Sequence, residues 1–365
     1  MKIAIIGTRG IPNDHGGFEQ FAESLAFFLS KKQHKVYVYN SHDHPYKLDE
    51  WNGAKIIHKY DPEYLIGTPG QFVYDLNCIL NSRKHNFDII LQLGYTSSSI
   101  WGVFLPKNAV IITNMDGLEW KRSKYNRITR KFLSFAEKLA ILRSDYLIAD
   151  SLGIKDYLTR KYNKESIYIA YGARVFEDPN EKVLEQYSLQ KGNYDILIAR
   201  LEPENNIQTI LDGVVKAELE RIFVVVGKHE TKYGKYLKKR YSAKSNIKFL
   251  GGIYEQDHLN NIRYFSNLYF HGHSVGGTNP SLLEAMSCGC AIIAHNNPFN
   301  KGILGSDALY FNNSNDIKKN LKPNRSHFDT FAANNLNKIH NLFSEEKINL
   351  KYEEFFQKCK SAKLY

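Results

Sequence analysis

Residues 268–294 constrain the fold more than any other stretch, because they read as strand, glycine loop, helix and strand in immediate succession. Gly276 and Gly277 permit a tight loop. Asn279 is suited to cap the helix, and Pro280 fits its first turn, where a missing N–H costs nothing. A helix that begins just past a strand directs unpaired N–H groups and a partial positive charge outward. The stretch therefore predicts a βαβ unit with a phosphate site at the start of its helix.

Glu284 lies one turn into the same predicted helix, behind the phosphate site. A carboxylate there would repel phosphate, but it could accept hydrogen bonds from ribose hydroxyls. This combination suggests a sugar nucleotide as the ligand. The alternative is an ordinary βαβ turn with an exposed glutamate, which a short motif does not exclude by itself.

The alternation of strand and helix continues along the whole chain, in two series separated by the polar stretch Phe176–Gly192. Near-continuous apolar runs are typical of parallel strands buried on both faces. The pattern predicts an α/β protein with parallel sheets and right-handed crossovers. The predicted strands are Lys2–Gly7, Val36–Tyr39, Lys55–His58, Asp88–Leu93, Val110–Thr113, Asp145–Ala149, Ile167–Ala170, Asp195–Ala199, Arg221–Gly227, Ile247–Gly251, Leu268–His271, Ala291–Ala294 and Ala308–Phe311.

The chain length indicates two domains, because 365 residues exceed the roughly 250–300 at which single cores stop growing. We expect them at residues 1–176 and 177–365. No apolar run approaches the roughly 18 residues of a spanning helix, and the apolar N-terminal run is too short for a signal peptide. The four cysteines have no framework spacing, which favours reduced packing cysteines. We therefore expect a cytoplasmic protein whose membrane contacts are peripheral.

The net charge of +11 indicates an acidic partner, either nucleic acid, anionic lipid or a phosphate-bearing substrate. No RRM, KH or helix-turn-helix signature is present, which disfavours a nucleic-acid-binding protein. The loop Thr8–Gly17 is not a GxGxxG fingerprint, so a nicotinamide-dependent oxidoreductase is not supported. No Asp-x-Asp pair occurs, so a metal-bridged diphosphate is not expected.

Two further loops follow predicted strands and precede helices. Gly16 and Gly17 suit an anion-facing turn, although the loop could need glycine only for its dihedral angles. Arg200 stands where a guanidinium group could hydrogen-bond two phosphate oxygens at once. The alternative for Arg200 is a surface ion pair with Glu202 or Glu204.

The loop after the strand Val110–Thr113 carries Asp116 and Glu119, at the strand end where open α/β sheets place their chemistry. The helix after it has an apolar stripe and a basic stripe. The basic stripe is either a solvated face or a surface that rests on anionic lipid head groups, and a second basic cluster has the same alternatives. The apolar stripe is Ile128, Phe132, Phe135 and Leu139; the basic stripe is Lys124, Arg127, Lys131 and Lys138; the second cluster is Lys228, Lys232, Lys235, Lys238, Lys239, Arg240 and Lys244.

Six short segments carry a family resemblance that covers nearly the whole chain. Three of them, Gly16–Glu19, Ala199–Asn205 and Pro280–Gly289, resemble GT-B glycosyltransferases of the retaining glycosyltransferase-4 type. The other three look most like bacterial rhamnosyltransferases of capsule and O-antigen assembly; they are Gly7–Pro12, Asp116–Arg122 and Gly272–Pro280.

The resemblance implies a GT-B architecture, in which two Rossmann-like domains with parallel sheets face each other across a cleft. The C-terminal domain would bind the nucleotide sugar and the N-terminal domain the acceptor. The final helix, at about residues 350–365, would pack back on the N-terminal domain.

Carried over position by position, the resemblance implies the site residues. Asp116 would lie near the reacting centre and Arg200 would hold the diphosphate, which makes these two the catalytic candidates, while Glu284 would hold the ribose. The implied donor site is Gly16, Gly17, Arg200, Asn205, His273, Gly276, Gly277, Thr278, Asn279, Ser281, Leu282 and Glu284, and the implied acceptor site is Asp116, Glu119, Lys121 and Arg122. Neither a metal ligand nor a cofactor is implied.

Two positions depart from the family pattern. Gly276 replaces the first of two glutamates that stand with seven residues between them, which removes a carboxylate near the transferred sugar. Asn205 replaces a basic residue and so removes one phosphate-neutralising charge, for which Lys228 or Arg9 could substitute.

The resemblance implies transfer of a sugar, most specifically L-rhamnose from dTDP-rhamnose, without a metal ion. The expected partners are a nucleotide sugar, a lipid-linked saccharide and the anionic inner face of the plasma membrane. A UDP- or GDP-hexose donor in the same fold is one alternative, and a basic nucleic-acid-binding protein is another. Catalysis would be positional and electrostatic, with Arg200 and with loop and helix N–H groups stabilising the leaving diphosphate.

Overall fold

The computed structural model describes residues 1–14, 16–122, 125–321 and 325–363. The chain forms two compact α/β units. Unit 1 comprises residues 1–120, 125–171 and the chain from Glu345 onward, and unit 2 comprises Lys121, Arg122 and Gly172–Ser344. The chain therefore passes from unit 1 to unit 2 at residues 171–172, a few residues before the expected boundary at 176.

Unit 1 is built on one sheet. Its strands are β1 (Lys2–Ile6), β2 (Lys35–Ser41), β3 (Glu50–Trp51), β4 (Ala54–Lys59), β5 (Ile89–Leu93), β6 (Val110–Asn114), β7 (Tyr146–Ala149) and β8 (Ile167–Tyr168). They lie in the order β3-β4-β2-β1-β5-β6-β7-β8. Every neighbouring pair is parallel except β3–β4. The short strand β3 was not predicted, because two residues are too few to form a pattern.

The helices before the unit boundary cover this sheet. They are α1 (Gly17–Lys31), α2 (Glu63–Ile66), α3 (Pro69–Ser82), α4 (Arg127–Arg143) and α5 (Leu152–Tyr162), with 3-10 turns at Ser98–Phe104 and Glu119–Lys121. No helix among the described residues is long and apolar enough to cross a membrane.

Unit 2 contains a second parallel sheet, in the order β11-β10-β9-β12-β13-β14. Its strands are β9 (Tyr194–Ile198), β10 (Ile222–Val226), β11 (Ile247–Gly251), β12 (Leu268–His271), β13 (Ile292–His295) and β14 (Leu309–Phe311). Its helices are α6 (Ile207–Ala217), α7 (Lys232–Arg240), α8 (Gln256–Tyr264), α9 (Pro280–Ser287), α10 (Pro298–Leu304), α11 (Ser314–Asn320) and α12 (Arg325–Lys338), with 3-10 turns at Glu181–Tyr187 and Pro203–Asn205 and a π turn at Ile339–Phe343.

Every predicted strand is present, and both sheets bury their central strands on two faces. The run Ile222–Val226 is one example, since four of its five residues are buried. All four cysteines are buried and unpaired. The predicted α/β class with parallel sheets is confirmed.

The last helix, α13 (Glu345–Lys363), belongs to unit 1. The imidazole of His34 contacts the carboxylate of Glu353 at 2.8 Å. The Asn114 side chain, at the end of β6, donates to the hydroxyl of the buried Tyr352 at 3.0 Å. The α13 helix therefore supports the loop that follows β6.

The order of strands reverses once in each unit. In unit 2 the chain builds β9, β10 and β11 outward and then returns to place β12 on the other side of β9. In unit 1 the reversal lies between β1 and β5. Open α/β sheets bind ligands at such a switch point, beyond the carboxyl ends of the strands.

Candidate active site

The loops after β9 and β12 are joined by hydrogen bonds beside the switch point of unit 2. The Asn206 side chain donates to the Gly272 carbonyl at 2.8 Å, and the Ser274 hydroxyl donates to the Glu204 carbonyl at 2.7 Å. A Cβ atom on Gly272 would lie 2.0 Å from the Asn205 carbonyl oxygen, so only glycine permits this approach. The two loops therefore hold a fixed position relative to each other.

Two positive charges stand at neighbouring strand ends of unit 2. Arg200 follows β9 and Lys228 follows β10, and the two strands are paired. Both side chains are exposed, and neither forms an ion pair with any described residue. The alternative in which Arg200 pairs with Glu202 or Glu204 is therefore not what the structure has. Two unneutralised cations at one edge suit a diphosphate.

Arg9, the other cation considered as a substitute for the missing base, is already paired within unit 1. Its Nε and Nη2 atoms donate to the two carboxylate oxygens of Glu63 at 2.9 and 2.8 Å. Burial disfavours its charge, but Glu63 outweighs that effect and raises the pKa of Arg9. Lys228 is therefore the better candidate for the second cation.

Asn205 is buried, and its side-chain amide donates to the Arg200 carbonyl at 2.7 Å. The residue expected at the donor site thus bonds to the loop that carries Arg200. Its role in the structure is to shape that loop.

Gly276 and Gly277 supply backbone donors in the loop after β12. Within residues 1–14, 16–122, 125–321 and 325–363, neither N–H has a protein acceptor. Gly276 has a φ of +128°, yet a Cβ atom there would meet nothing within 4 Å. The backbone conformation, not lack of space, therefore disfavours a glutamate at this position.

Helix α9 begins as predicted, but its first N–H groups have acceptors inside the protein. The side chain of Asn279 accepts from the Ser281 N–H at 3.0 Å. The Asn279 carbonyl accepts from Leu282 at 3.0 Å and from Leu283 at 3.4 Å. The expectation that N–H groups of the helix itself bind phosphate is therefore wrong for these three, because the cap satisfies them. The helix dipole and the two preceding glycines remain available to an anion.

Glu284 forms a buried ion pair that the sequence did not reveal. The Nη2 atom of Arg263 lies 2.5 Å from Glu284 Oε2, and the two side chains are 2% and 15% exposed. Arg263 also donates to Ser281 Oγ at 3.3 Å and to Asn260 Oδ1 at 3.1 Å. Burial disfavours the Arg263 charge, but Glu284 together with Tyr269, Cys288 and Cys290 outweighs that effect and raises the pKa of Arg263.

This ion pair leaves one carboxylate oxygen of Glu284 for a ligand. Oε2 is bonded to Arg263, whereas Oε1 accepts no hydrogen bond from the part of the chain that is described. Ser281 is turned inward, where its hydroxyl contacts the Tyr269 hydroxyl at 2.8 Å. Leu282 lies in the core and Thr278 is also buried.

Two stacked histidines line the end of β12. The rings of His271 and His273 lie 4.5 Å apart at 19°. Burial, with added repulsion from Arg200 and Arg122, lowers the pKa of His273 to about 3, and burial lowers that of His271 well below its usual range. Both rings are therefore neutral at physiological pH. The Asn297 side-chain amide donates a hydrogen bond to the His273 carbonyl at 3.0 Å, which also fixes the loop after β12.

The acidic loop after β6 lies in unit 1. Asp116 has a φ of +46°, in the left-handed region, and its N–H donates to Asn114 Oδ1 at 2.9 Å. Burial raises the pKa of Tyr171, and the neighbouring Asp116, which is hydrogen-bonded to it, raises it further. A non-glycine residue held in this conformation beside a strand end is typical of a functional loop.

Glu137 on α4, which is buried, anchors the same loop. The Trp120 indole N–H donates to its carboxylate at 3.3 Å. Four other groups converge on that carboxylate, so it is buried without lacking hydrogen-bond partners. They are the hydroxyls of Tyr95, Tyr157 and Tyr162 and the ammonium of Lys161. No sequence pattern marked this cluster.

The two parts of the chain match different protein families. Residues 1–174 match a domain of unknown function (DUF1972). Residues 180–322 match the family described as glycosyl transferases group 1. The second unit carries a glycosyltransferase group 1 domain. The whole chain is 24% identical to an uncharacterized glycosyltransferase of Methanocaldococcus jannaschii, over 100% of this chain and 97% of that protein.

Solved structures resemble the chain over almost its entire length. Sucrose-phosphate synthase from Thermosynechococcus elongatus has a TM-score of 0.79 at 17% identity and covers 99% of both chains. HepE from Anabaena, in complex with UDP and glucose, has a TM-score of 0.77 at 16% identity, with 97% and 98% coverage. The GT-B fold class is thereby confirmed. Together with the family match, the findings support a glycosyltransferase and disfavour the nucleic-acid-binding alternative.

The glycosyltransferase domain brings most of the predicted donor residues to one edge of its sheet. Lys121 and Arg122, predicted for the acceptor, also belong to unit 2, whereas Asp116 and Glu119 belong to unit 1. The predicted donor residues Gly16 and Gly17 lie in unit 1 as well, at the start of α1, where the Gly16 N–H donates to Asn13 Oδ1 at 3.1 Å. Two residues of the predicted loops and stripes, His15 and Lys124, lie outside the described residues. No cluster of His, Cys, Asp or Glu within the described ranges is arranged to hold a metal ion.

Proposed function

We propose that this glycosyltransferase moves L-rhamnose from dTDP-rhamnose to a lipid-linked saccharide, with retention, in bacterial capsule or O-antigen synthesis. The observation that supports it most is the anion site of unit 2. There, Arg200 and Lys228, which form no ion pair with the described residues, share one sheet edge with the N–H groups of Gly276 and Gly277, which have no acceptor among those residues. These groups match the charge and the hydrogen-bonding capacity of a nucleoside diphosphate.

In the proposed mechanism, negative charge grows on the diphosphate as the bond from sugar to phosphate breaks. Arg200, Lys228 and the two glycine N–H groups stabilise that charge. The joined loops after β9 and β12 hold the backbone of Arg200 and of the two glycines in a fixed position. Glu284 Oε1 accepts a hydrogen bond from a ribose hydroxyl, while Arg263 donates to Glu284 Oε2. The family resemblance implies attack on the front face of the sugar, with no covalent nucleophile, and it makes Asp116 the second catalytic candidate.

The choice of sugar depends on the loop at Gly276. Relatives of the family offer a carboxylate to a hydroxyl-rich hexose at this position. Here the loop offers only backbone and open space, which favours a 6-deoxy sugar. The rival donor is a UDP-hexose, and the similarity to HepE, whose structures hold UDP-glucose, favours it.

Competition binding separates these donors. We expect dTDP to displace a bound fluorescent nucleotide at lower concentration than UDP or GDP. Preference for UDP would replace rhamnose by a UDP-hexose in the proposal. Mass spectrometry of products formed from dTDP-rhamnose and a panel of lipid-linked acceptors then identifies the reaction. A lipid-linked acceptor would place the reaction at the cytoplasmic face of the membrane, where we expect the protein to associate peripherally.

Replacement of Arg200 tests the anion site directly. We expect Arg200→Ala to lower turnover more than a hundredfold, which corresponds to about 3 kcal/mol of transition-state stabilisation. The matched control is Arg83→Ala, which removes another exposed arginine, at the end of α3. Unchanged turnover in Arg200→Ala, with normal thermal unfolding, would exclude Arg200 from the reaction.

A further inference from the structure

Helix α4 exposes large apolar side chains to solvent. Ile128 is 80% exposed, Phe135 54% and Leu142 63%, and Phe132 is partly exposed beside them. At 100° per residue these four positions fall on one narrow stripe of the helix. The buried face of the helix is a different one, and it consists of Leu133, Ala136, Glu137, Ala140 and Ile141. The apolar stripe read from the sequence is therefore not the buried face of the helix.

The apolar surface continues beyond α4. The ring of Phe132 contacts that of Phe72 on α3, at 5.8 Å between centroids. The 3-10 turn Ser98–Phe104 packs against α4 and exposes Val103 and Phe104. Large apolar side chains are therefore exposed on α4 and on an element packed against it, and exposed apolar patches mark interaction surfaces.

The charge along α4 indicates which kind of partner binds that apolar surface. Arg127, Lys131 and Lys138 are exposed and lie along one side of the apolar stripe. The single acidic residue of the helix is Glu137, which is buried and bonded. The exposed surface of α4 therefore combines phenylalanine and isoleucine with positive charge only. A second copy docked face to face would bring these cations against each other, which disfavours self-association.

We propose that the stripe of Ile128, Phe132, Phe135 and Leu142, with Arg127, Lys131 and Lys138 beside it, docks on an anionic lipid bilayer. The apolar side chains enter the boundary between head groups and acyl chains. The lysines and arginine keep their charges at the level of the lipid phosphates while their stems lie along apolar surface. This surface rests on the proposed peripheral association with the membrane and assigns it to one helix, and its test needs no sugar substrate.

The basic helix α7 provides an internal comparison. It carries Lys232, Lys235, Lys238, Lys239 and Arg240, but Tyr236 is its one largely exposed apolar side chain among the described residues. If positive charge alone governed lipid binding, α7 would bind the bilayer as well as α4 does. If the apolar stripe is required, α7 would not bind.

Flotation with lipid vesicles tests the docking surface. We expect the protein to float with vesicles of phosphatidylcholine and phosphatidylglycerol and not with phosphatidylcholine alone. The variant Lys131→Gln/Lys138→Gln should bind about twenty-fivefold more weakly, since each basic residue near the surface contributes about fivefold. Phe135→Ser should weaken binding to a similar extent, whereas Lys238→Gln/Lys239→Gln on α7 should bind as the parent protein does.

A fluorophore shows whether the side chain enters the bilayer. Because all four native cysteines are buried, Phe135→Cys can be labelled selectively with an environment-sensitive dye. We expect a blue shift on addition of anionic vesicles, and none with the dye at Tyr236→Cys on α7. The shift should persist in part when salt is raised from about 0.1 M to 1 M, where the Debye length falls from about 10 to 3 Å.

Four results would overturn the proposal. They are no flotation with anionic vesicles, undiminished binding by Phe135→Ser, equal loss of binding in the α4 and α7 lysine variants, and a dimer in solution that Phe135→Ser converts to a monomer. Binding of nucleotides by the same preparations reports separately on the proposed sugar transfer.

Discussion

The ion pair between Arg263 and Glu284 allows a quantitative test of how unit 2 positions Glu284, the residue proposed to bind the ribose. Three variants suffice: Glu284→Leu, Arg263→Leu and the two together. The burial of the partners differs, since the Arg263 side chain is 2% exposed and that of Glu284 15%. The two single variants should therefore differ in cost, because each leaves a different charge without its partner.

Removal of Glu284 leaves the more deeply buried charge. Breaking a buried pair in this way costs about 3–5 kcal/mol, and we expect Glu284→Leu to fall in that range. Arg263→Leu leaves a carboxylate that still reaches water, so we expect about 1–3 kcal/mol. The double variant removes both charges, and its cost should be at least about 2 kcal/mol below the sum of the two single costs.

The distribution of tryptophan makes the assay specific for unit 2. The three tryptophans, Trp51, Trp101 and Trp120, all lie in unit 1. In urea, tryptophan fluorescence therefore reports on unit 1, while far-UV circular dichroism reports on both units. We expect the variants to shift only the part of the dichroism transition that fluorescence does not follow.

Three results would refute this reasoning. They are a cost below about 1 kcal/mol for Glu284→Leu, a larger cost for Arg263→Leu than for Glu284→Leu, and additive costs in the double variant. The same urea-unfolding measurement is the folding control for the functional test of Glu284. Loss of activity supports ribose binding by Glu284 only in a variant whose unit 2 stays folded. Glu284→Gln, which keeps an oxygen for Arg263, is the milder substitution for that purpose.

Two further predictions concern buried carboxylates of unit 1. Burial raises the pKa of Asp75 from 3.8 to about 6, against the hydrogen bond from Ser97. Because the pKa of Asp75 is higher in the folded state than in the unfolded state, this carboxyl group contributes about 3 kcal/mol to the free energy of unfolding at low pH. That contribution is complete below pH about 4 and is lost as the pH rises through about 6. Asp75→Asn should abolish this part of the pH dependence in urea unfolding followed by tryptophan fluorescence, and an unchanged profile would contradict the shift. For Glu137→Gln, which weakens the hold on Trp120, we expect the KM for the acceptor to rise more than that for the donor nucleotide, with about 1–3 kcal/mol of lost stability; equal changes in both KM values, or none, would leave Glu137 a purely structural residue.

The sheets were predictable because their signal is local. A parallel strand buried on both faces reads as an apolar run, as Ile222–Val226 does, and a helix cap such as Asn279 is recognised from its immediate neighbours. The alternation does not give the order of the strands, and the structure shows that Arg200 follows a strand beside a switch point. Only β3, which is two residues long, gave no pattern.

Contacts between distant residues were not predictable in the same way. Arg9 bonds to Glu63 from another part of the unit, and Arg263 reaches Glu284 from a neighbouring helix. Nothing in the residue type or the spacing of these arginines distinguishes them from surface arginines. Whether a cation is available to phosphate depends on which carboxylates the fold brings near it.

The stripe on α4 shows a related limit. Periodicity establishes that Ile128, Phe132 and Phe135 share one side of a helix, but it does not say what covers that side. A core and a lipid bilayer both select apolar residues at helical spacing. The structure distinguishes them, since a second face of the same helix is buried and this one is not.

The departure at Asn205 has a physical explanation once the loop is seen in three dimensions. The buried amide of Asn205 bonds to the Arg200 carbonyl, so a longer, charged side chain at this position would have to leave the loop interior and give up that bond. Lys228 lies at the end of the adjacent strand and needs no such change. The second cation at this edge can therefore come from a different strand than the family pattern uses, while Asn205 keeps the backbone of Arg200 in position. In the proposed donor site, the number of positive charges is then preserved even though the motif is not.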